Sequence, residues 1–244
     1  MFEGVVTALQ DRKTVLERST FSGEEKPLAA NITQMVVLLA IEPEPSEYLL
    51  DQYLIAAEKI GIKVLITVNK SDLLSDTDKT RFMERFGHYE DIGYPLIFIS
   101  SRFKDGLVPL TEHLKHETSI LVGQSGVGKS SLTNSLIPDL ELQTNKLSDK
   151  KQSGQHTTSA STLYALPEGG ELIDSPGVRS FRLGKIDRST LEQGFREFHD
   201  FLGHCRFSNC SHDTEPGCAL TEAVKDGKIH PLRLQNFRHM LEKL

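Results

Sequence analysis

The stretch Gly123-Gln-Ser-Gly-Val-Gly-Lys-Ser130 decides the fold. It satisfies G-x-x-x-x-G-K-[ST] at every fixed position. The apolar run Ile120–Val122 precedes it, and the helical stretch Ser130–Leu136 comes after. A strand, a glycine-rich turn and a helix N-terminus in this order aim backbone amides at a phosphate. The glycines let the backbone wrap closely around an anion. Gly123, Gln124, Ser125, Gly126, Val127, Gly128, Lys129, Ser130 and Ser131 are therefore the expected phosphate contacts. Lys129 would reach the β- and γ-phosphates, and the Ser130 hydroxyl would ligate Mg²⁺.

Outward from this loop, residues 31 to about 167 alternate in character. The runs Met35–Ile41, Val64–Val68, Leu96–Ile99 and Ile120–Val122 are apolar on both faces, as buried parallel strands are. Helical stretches lie between them: Ser46–Ile60, Asp78–Tyr89 and Leu107–His116. Ser46 precedes a helical period carrying Tyr48, Leu49, Tyr53 and Ala56–Ala57 on one face, and is a candidate N-cap. Strands alternating with helices predict a doubly wound α/β domain. Residues 1 to about 30 hold short alternating stretches, Gly4–Leu9 and Thr14–Arg18, with a turn at Ser22-Gly23. They read as two or three strands, either the end of a larger β-domain or a small hairpin packed on the α/β domain. Residues 138–161 are polar with few apolar anchors, a length of loop that is usually functional or mobile. After Gly177 the chain turns to short helical stretches, closing with the amphipathic Pro231–Leu244.

A phosphate loop does not choose a base. Asn69-Lys70-Ser71-Asp72, at the end of the apolar run Val64–Val68, does. In open α/β sheets, ligands bind at the carboxyl ends of strands. An aspartate there accepts from the ring N–H and exocyclic amine of guanine. Adenine would leave it unpaired, which is a heavy penalty. Asn69 would hold the loop and touch the base edge, while the Lys70 stem covers the ring face. Ser100-Ser101-Arg102, after Leu96–Ile99, is the natural second base loop. Asp174-Ser-Pro-Gly177 comes directly after Leu172-Ile173. In that position Asp174 would hold Mg²⁺ through water, and the Gly177 amide would sense the γ-phosphate.

Cys205-x₄-Cys210-x-His212-x₅-Cys218 places three thiolates and an imidazole within fourteen residues. That is a full tetrahedral Zn²⁺ set with no open position, hence structural. Three cysteines packed this tightly point to metal rather than disulfides. The alternative is three buried or free thiols beside an unrelated histidine.

Composition sets the outer bounds. The chain has 244 residues, 38% hydrophobic and 25% charged, with net charge -6. No global basic field attracts nucleic acid. No apolar run is long enough to span a bilayer, and no secretory signal opens the chain, so a cytoplasmic, monomeric protein is expected. Residues 225–244 are locally positive through Lys225, Lys228, Arg233, Arg238 and Lys243, against Asp226 and Glu242. Charge alone leaves a solvated helix face and RNA contact equally open.

The order of motifs is base motif, second base loop, phosphate loop, polar loop, D-x-x-G. In ordinary GTPases the phosphate loop comes first, so the expected fold is α/β, a circularly permuted P-loop GTPase domain. With the cysteine cluster and Gly154-Gln-His-Thr-Thr158, the chain resembles the bacterial ribosome small subunit-dependent GTPase A family. That resemblance implies a partial N-terminal OB-like β segment (1–30), the permuted GTPase domain (31–185) and a C-terminal helical zinc-binding domain (186–244). The family's full N-terminal barrel has five strands, and residues 1–30 supply only its last ones. The resemblance further implies GTP and GDP as ligands and a late role in assembling the small ribosomal subunit, with its rRNA as partner.

Val178 stands where many GTPases carry the glutamine that orients the attacking water. By resemblance His156 positions that water, and Thr158 (or Thr157) closes onto Mg²⁺. Slow intrinsic hydrolysis, stimulated by the subunit, is expected. Two rivals remain: a P-loop ATPase or kinase, and a zinc-stapled RNA-binding module with a vestigial nucleotide site.

Overall fold

The computed structural model describes residues 7–8, 11–19, 24–137, 161–174 and 183–244. An antiparallel pair, β1 (Val15–Ser19) and β2 (Glu25–Ala30), precedes the main sheet. That sheet contains β3 (Gln34–Leu39), β4 (Lys63–Val68), β5 (Leu96–Phe98), β6 (Thr118–Val122), β7 (Thr162–Ala165) and β8 (Glu171–Asp174). Its order is β5-β4-β3-β6-β8-β7, parallel throughout except for the β7–β8 edge pair.

The period of two along these strands builds two cores. Met35, Val37 and Leu39 point to one side with Val64, Ile66, Val68, Ile120 and Val122. Helices α1 (Glu47–Ile60), α2 (Asp76–Phe86) and α3 (His88–Asp91) cover that side with Leu50, Tyr53, Phe82 and Tyr89. Val36, Leu38, Leu65 and Leu121 point to the other, under Leu110 and Leu114 of α4 (Val108–Leu114) and Leu132 and Leu136 of α5 (Lys129–Leu136).

Local chemistry sets the helix ends. The Ser46 hydroxyl accepts from the Leu49 amide at 3.3 Å, as an N-cap should. Ser75 and Asp78 form a reciprocal capping box, so α2 begins at Asp76, two residues before the periodicity predicts. The expected single helix Asp78–Tyr89 is two helices, divided at Gly87, whose low helix preference permits the break. The final helix, expected through Leu244, ends at Leu241.

Of the expected first strand, Thr7 and Ala8 alone are described; the turn at Ser22-Gly23 lies outside the described residues. Leu16 of β1 is buried in the core beneath α1, so this hairpin packs on the α/β layer. The strand Glu25–Ala30 comes after the turn expected at Ser22-Gly23, within the two or three strands expected of residues 1–30.

A third core joins α6 (Arg188–Gln193), α7 (Ala219–Lys225) and α8 (Pro231–Leu241) through Leu191, Phe195, Phe198, Leu220 and Phe237. Ile55 of α1 belongs to it. An ionic network reinforces this junction. Arg233, 1% exposed, donates to Asp51 and, at 2.6 Å, to Glu197. Asn236 Nδ2 and the Tyr89 hydroxyl each donate to Asp51 at 2.7 Å. The positive tail is therefore less solvated than its charge suggests. Arg233 is a core residue, and Arg238 is engaged by the carbonyls of His212 and Asp213. Among the described residues no helix is long and apolar enough to cross a membrane.

Candidate functional site

The parallel strands deliver the predicted groups to one end of the sheet. β6 runs into Gly123, β4 into Asn69, β5 into Ser100 and β8 ends on Asp174. This is where an open α/β sheet binds ligands.

The loop geometry requires its glycines. Gly123 has φ +141°, and a Cβ there would lie 2.2 Å from the Leu38 carbonyl oxygen. Gly128 has φ +99°, and a Cβ would lie 2.5 Å from Asn69 Nδ2. Lys129 Nζ donates to the carbonyls of Gly123 (2.6 Å) and Gln124 (2.5 Å), arching across the loop. Ser125 and Gly126 face solvent at its tip, and Ser130 and Ser131 are exposed in the first turn of α5. Val127 is buried and anchors the loop from below.

The base motif is fastened to this loop. Asn69, 1% exposed, donates through Nδ2 to the Val127 carbonyl at 3.0 Å. Its Oδ1 accepts from the Ser101 amide at 3.1 Å. One side chain thus ties base motif, phosphate loop and second base loop, with both polar ends engaged by protein. Lys70 takes a left-handed conformation (φ 62°) and donates to the Gly126 carbonyl at 3.0 Å and the Glu42 carbonyl at 2.8 Å. Ser71 opens a short 3₁₀ turn that presents Asp72. Asp72 Oδ1 accepts from the Ser100 hydroxyl at 2.6 Å, and its Oδ2 lies 3.9 Å from the Arg102 guanidinium. Ser135 of α5 also donates to the Ser101 carbonyl at 2.7 Å.

Gly177 and Val178 lie outside the described residues, as do His156, Thr157 and Thr158.

The second predicted cluster converges as well. The ligand atoms of Cys205, Cys210, His212 and Cys218 all lie within 4.8 Å of one another. His212 Nδ1 is 3.5 Å from the sulfurs of both Cys205 and Cys218. Cys210, His212 and Cys218 are buried. Three soft sulfurs and one imidazole at this separation fit one tetrahedral ion. His212 Nε2 points the other way, to Glu192 at 3.4 Å, which suits Nδ1 as the ligating atom. Arg188 of α6 holds Glu192 at 2.6 Å and donates to the Cys210 carbonyl. The Ala219 amide donates to Cys205 Sγ at 3.3 Å. Sequence reasoning missed Arg188 and Glu192, although their i,i+4 spacing on a helix is a visible signal.

The RsgA GTPase family profile matches residues 9–184. The small ribosomal subunit biogenesis GTPase RsgA of Hahella chejuensis (strain KCTC 2396) is 47% identical over 241 residues, covering 99% of this chain and 69% of that one. The crystal structure of YjeQ from Thermotoga maritima superposes with a TM-score of 0.76 at 31% identity, covering 96% of this chain and 76% of that one. YloQ, described as a circularly permuted GTPase, superposes with a TM-score of 0.73 at 28% identity, covering 96% and 72%. With its permuted order and its base and phosphate loops joined at one sheet end, the chain belongs to the RsgA GTPase family.

Proposed function

We propose that this GTPase acts in biogenesis of the small ribosomal subunit, as its Hahella relative is named for doing. The carrying observation is the tie from Asn69 to Val127, which joins a base-reading loop to a phosphate-binding loop. Membership of a GTPase family sets aside the ATPase or kinase and the vestigial-site readings.

In our reading Asp72 accepts from the two guanine donors, and Ser100 keeps its carboxylate aimed. The Lys70 stem covers one face of the base. The amides from Gly123 to Ser131 cradle the phosphates, and Lys129 moves from its loop carbonyls to the β- and γ-oxygens. Ser130 and Thr158 would ligate Mg²⁺, with Asp174 and Gly177 behind. A bound Mg²⁺ supplies charge neutralisation at the γ-phosphate. Water then attacks the γ-phosphorus as the bond to the bridging oxygen breaks, leaving GDP and phosphate. Val178 offers no polar group to orient that water, so His156 takes the role. Turnover is therefore slow until the small subunit and its rRNA engage that histidine.

Zn²⁺ is the metal we assign to Cys205, Cys210, His212 and Cys218, in a closed structural site. The protein works as a cytoplasmic monomer, with residues 186–244 as the zinc-binding unit. Phosphate release by wild type and by Ser130→Ala tests the chemistry: an unchanged rate in the variant would remove the phosphate loop from the mechanism.

A further inference from the structure

The segment from Ile41 to Ser46 joins β3 to α1 and carries no nucleotide-binding motif, yet it stands against both loops of the candidate site. Lys70 Nζ donates to the Glu42 carbonyl at 2.8 Å and to the Gly126 carbonyl at 3.0 Å. One ammonium therefore bridges this segment and the phosphate loop. Pro43 lies beside the bridge: a Cβ on Gly126 would meet Pro43 Cδ at 3.5 Å. In a trans peptide the C=O and N–H point opposite ways. Holding the Gly126 carbonyl on Lys70 thus turns the Val127 N–H away from that lysine.

Glu42, Pro43 and Glu44 are exposed, and no helix or strand includes them. Arg85, in the last turn of α2, supplies the hold. Its Nε and Nη2 donate to the two carboxylate oxygens of Glu47, the second at 2.7 Å, a bidentate pair. Nη1 donates to Glu44 Oε1 at 2.9 Å, and Nη2 also donates to the Pro45 carbonyl at 3.2 Å. A lone exposed ion pair contributes little. Here one planar fork grips Glu44, Pro45 and Glu47 together, the residues that follow Pro43, and the Glu47 side chain is only 12% exposed.

We infer that Arg85 is a positioning residue for nucleotide binding: it locks the segment from Glu42 to Glu47, and through the Glu42 carbonyl and Pro43 it sets Lys70 and the tip of the phosphate loop. The inference rests on the guanine-nucleotide reading of this site, in which the Lys70 stem covers the base and the Val127 amide meets the phosphates. Without the guanidinium, the Glu42 carbonyl is no longer fixed for Lys70. Affinity falls, while the groups that act on the γ-phosphate keep their places.

Arg85→Met removes the guanidinium and keeps an unbranched stem beside Phe86. Arg196→Met is the matched control. Arg196 grips Glu58, near the other end of α1, at 2.6 Å and the Gly93 carbonyl at 3.0 Å, and neither residue belongs to a nucleotide loop. Equilibrium titration with a fluorescent GDP, steady-state GTP turnover and thermal unfolding would be run on the full chain. Arg85→Met should weaken GDP binding and raise KM for GTP by about fivefold, with kcat within about twofold of wild type. Arg196→Met should lower the unfolding midpoint and leave the GDP dissociation constant within about twofold. Glu47→Gln, which keeps the shape of the Arg85 partner and removes its charge, should weaken GDP binding in the same direction, and it decides the matter should Arg85→Met fail to fold. Equal loss of affinity in Arg85→Met and Arg196→Met, or unchanged affinity in Arg85→Met or Glu47→Gln, would overturn the assignment. Wild type that binds no guanine nucleotide would instead overturn the reading beneath it.

Discussion

Asn69 donates to the Val127 carbonyl across 3.0 Å, in a contact shut away from solvent. The loops proposed for base selection and phosphate binding are thereby mechanically one unit. Asn69→Ala would strand the Val127 carbonyl and the Ser101 amide together. A buried group left unpaired costs about 1–3 kcal/mol, so GDP and GTP affinity should fall by roughly 10- to 100-fold. Calorimetric titration of both nucleotides measures this, and the two should weaken by similar factors. Loss confined to one of them would separate the loops.

On the proposed function, Asp72 would set the base by what it accepts. Asp72→Asn replaces one acceptor with a donor, which suits a carbonyl at the purine 2-position rather than an amine. The variant should lose GTP binding by at least about 100-fold and gain affinity for the xanthine nucleotide. Competition between the two triphosphates reads the exchange directly.

The cysteine cluster should hold about one zinc per chain, measured by elemental analysis. Chelation, or Cys218→Ser, should lower the thermal midpoint, because the ligand sulfurs Cys210 and Cys218 are part of the third core. Glu192→Gln should retain the metal but release it faster to a chelator, since the His212 ring loses its carboxylate partner. Metal content and release rate unchanged in every variant would contradict a resident ion.

The His88 and His230 rings stack 4.0 Å apart at 6°, joining α3 to the residue that opens α8. Burial holds the His88 pKa down to about 4 from 6.5, helped by His230 and Arg233 and opposed by Glu197 and the Arg85 backbone. Because the folded value lies below the unfolded one, the unfolded chain takes up the proton first as pH falls. Stability contributed by this site is complete above about pH 6.5 and is lost between there and about pH 4. Urea unfolding at pH 7 and pH 5 should show a smaller pH loss in His88→Phe than in wild type. An identical loss would show that other groups carry it.

The candidate nucleotide site was legible as a convergence of loops because its chemistry is local. A phosphate loop needs glycines at fixed spacing, and the strands feeding it need apolar residues on both faces. The cysteine set was legible for the same reason. What escaped depends on distant partners. Asp51 reads as a polar break in α1, yet 182 residues later Arg233 arrives to neutralise it. Neither residue alone signals burial, because isolated charges belong outside. Gly87 ended a helix that periodicity carried through, since its helix preference is weak. The motif order alone already implied the permutation. The strand order β5-β4-β3-β6-β8 places the base loop and the phosphate loop on strands one apart across β3.

On the proposed function, efficient hydrolysis by this GTPase would wait for a partner. Phosphate release from saturating GTP, with and without purified small ribosomal subunits, measures that dependence most directly. The rate should rise by about tenfold or more when subunits are added, a barrier change of about 1.4 kcal/mol, and His156→Ala should abolish the rise. Equal rates with and without subunits would contradict a partner-dependent GTPase.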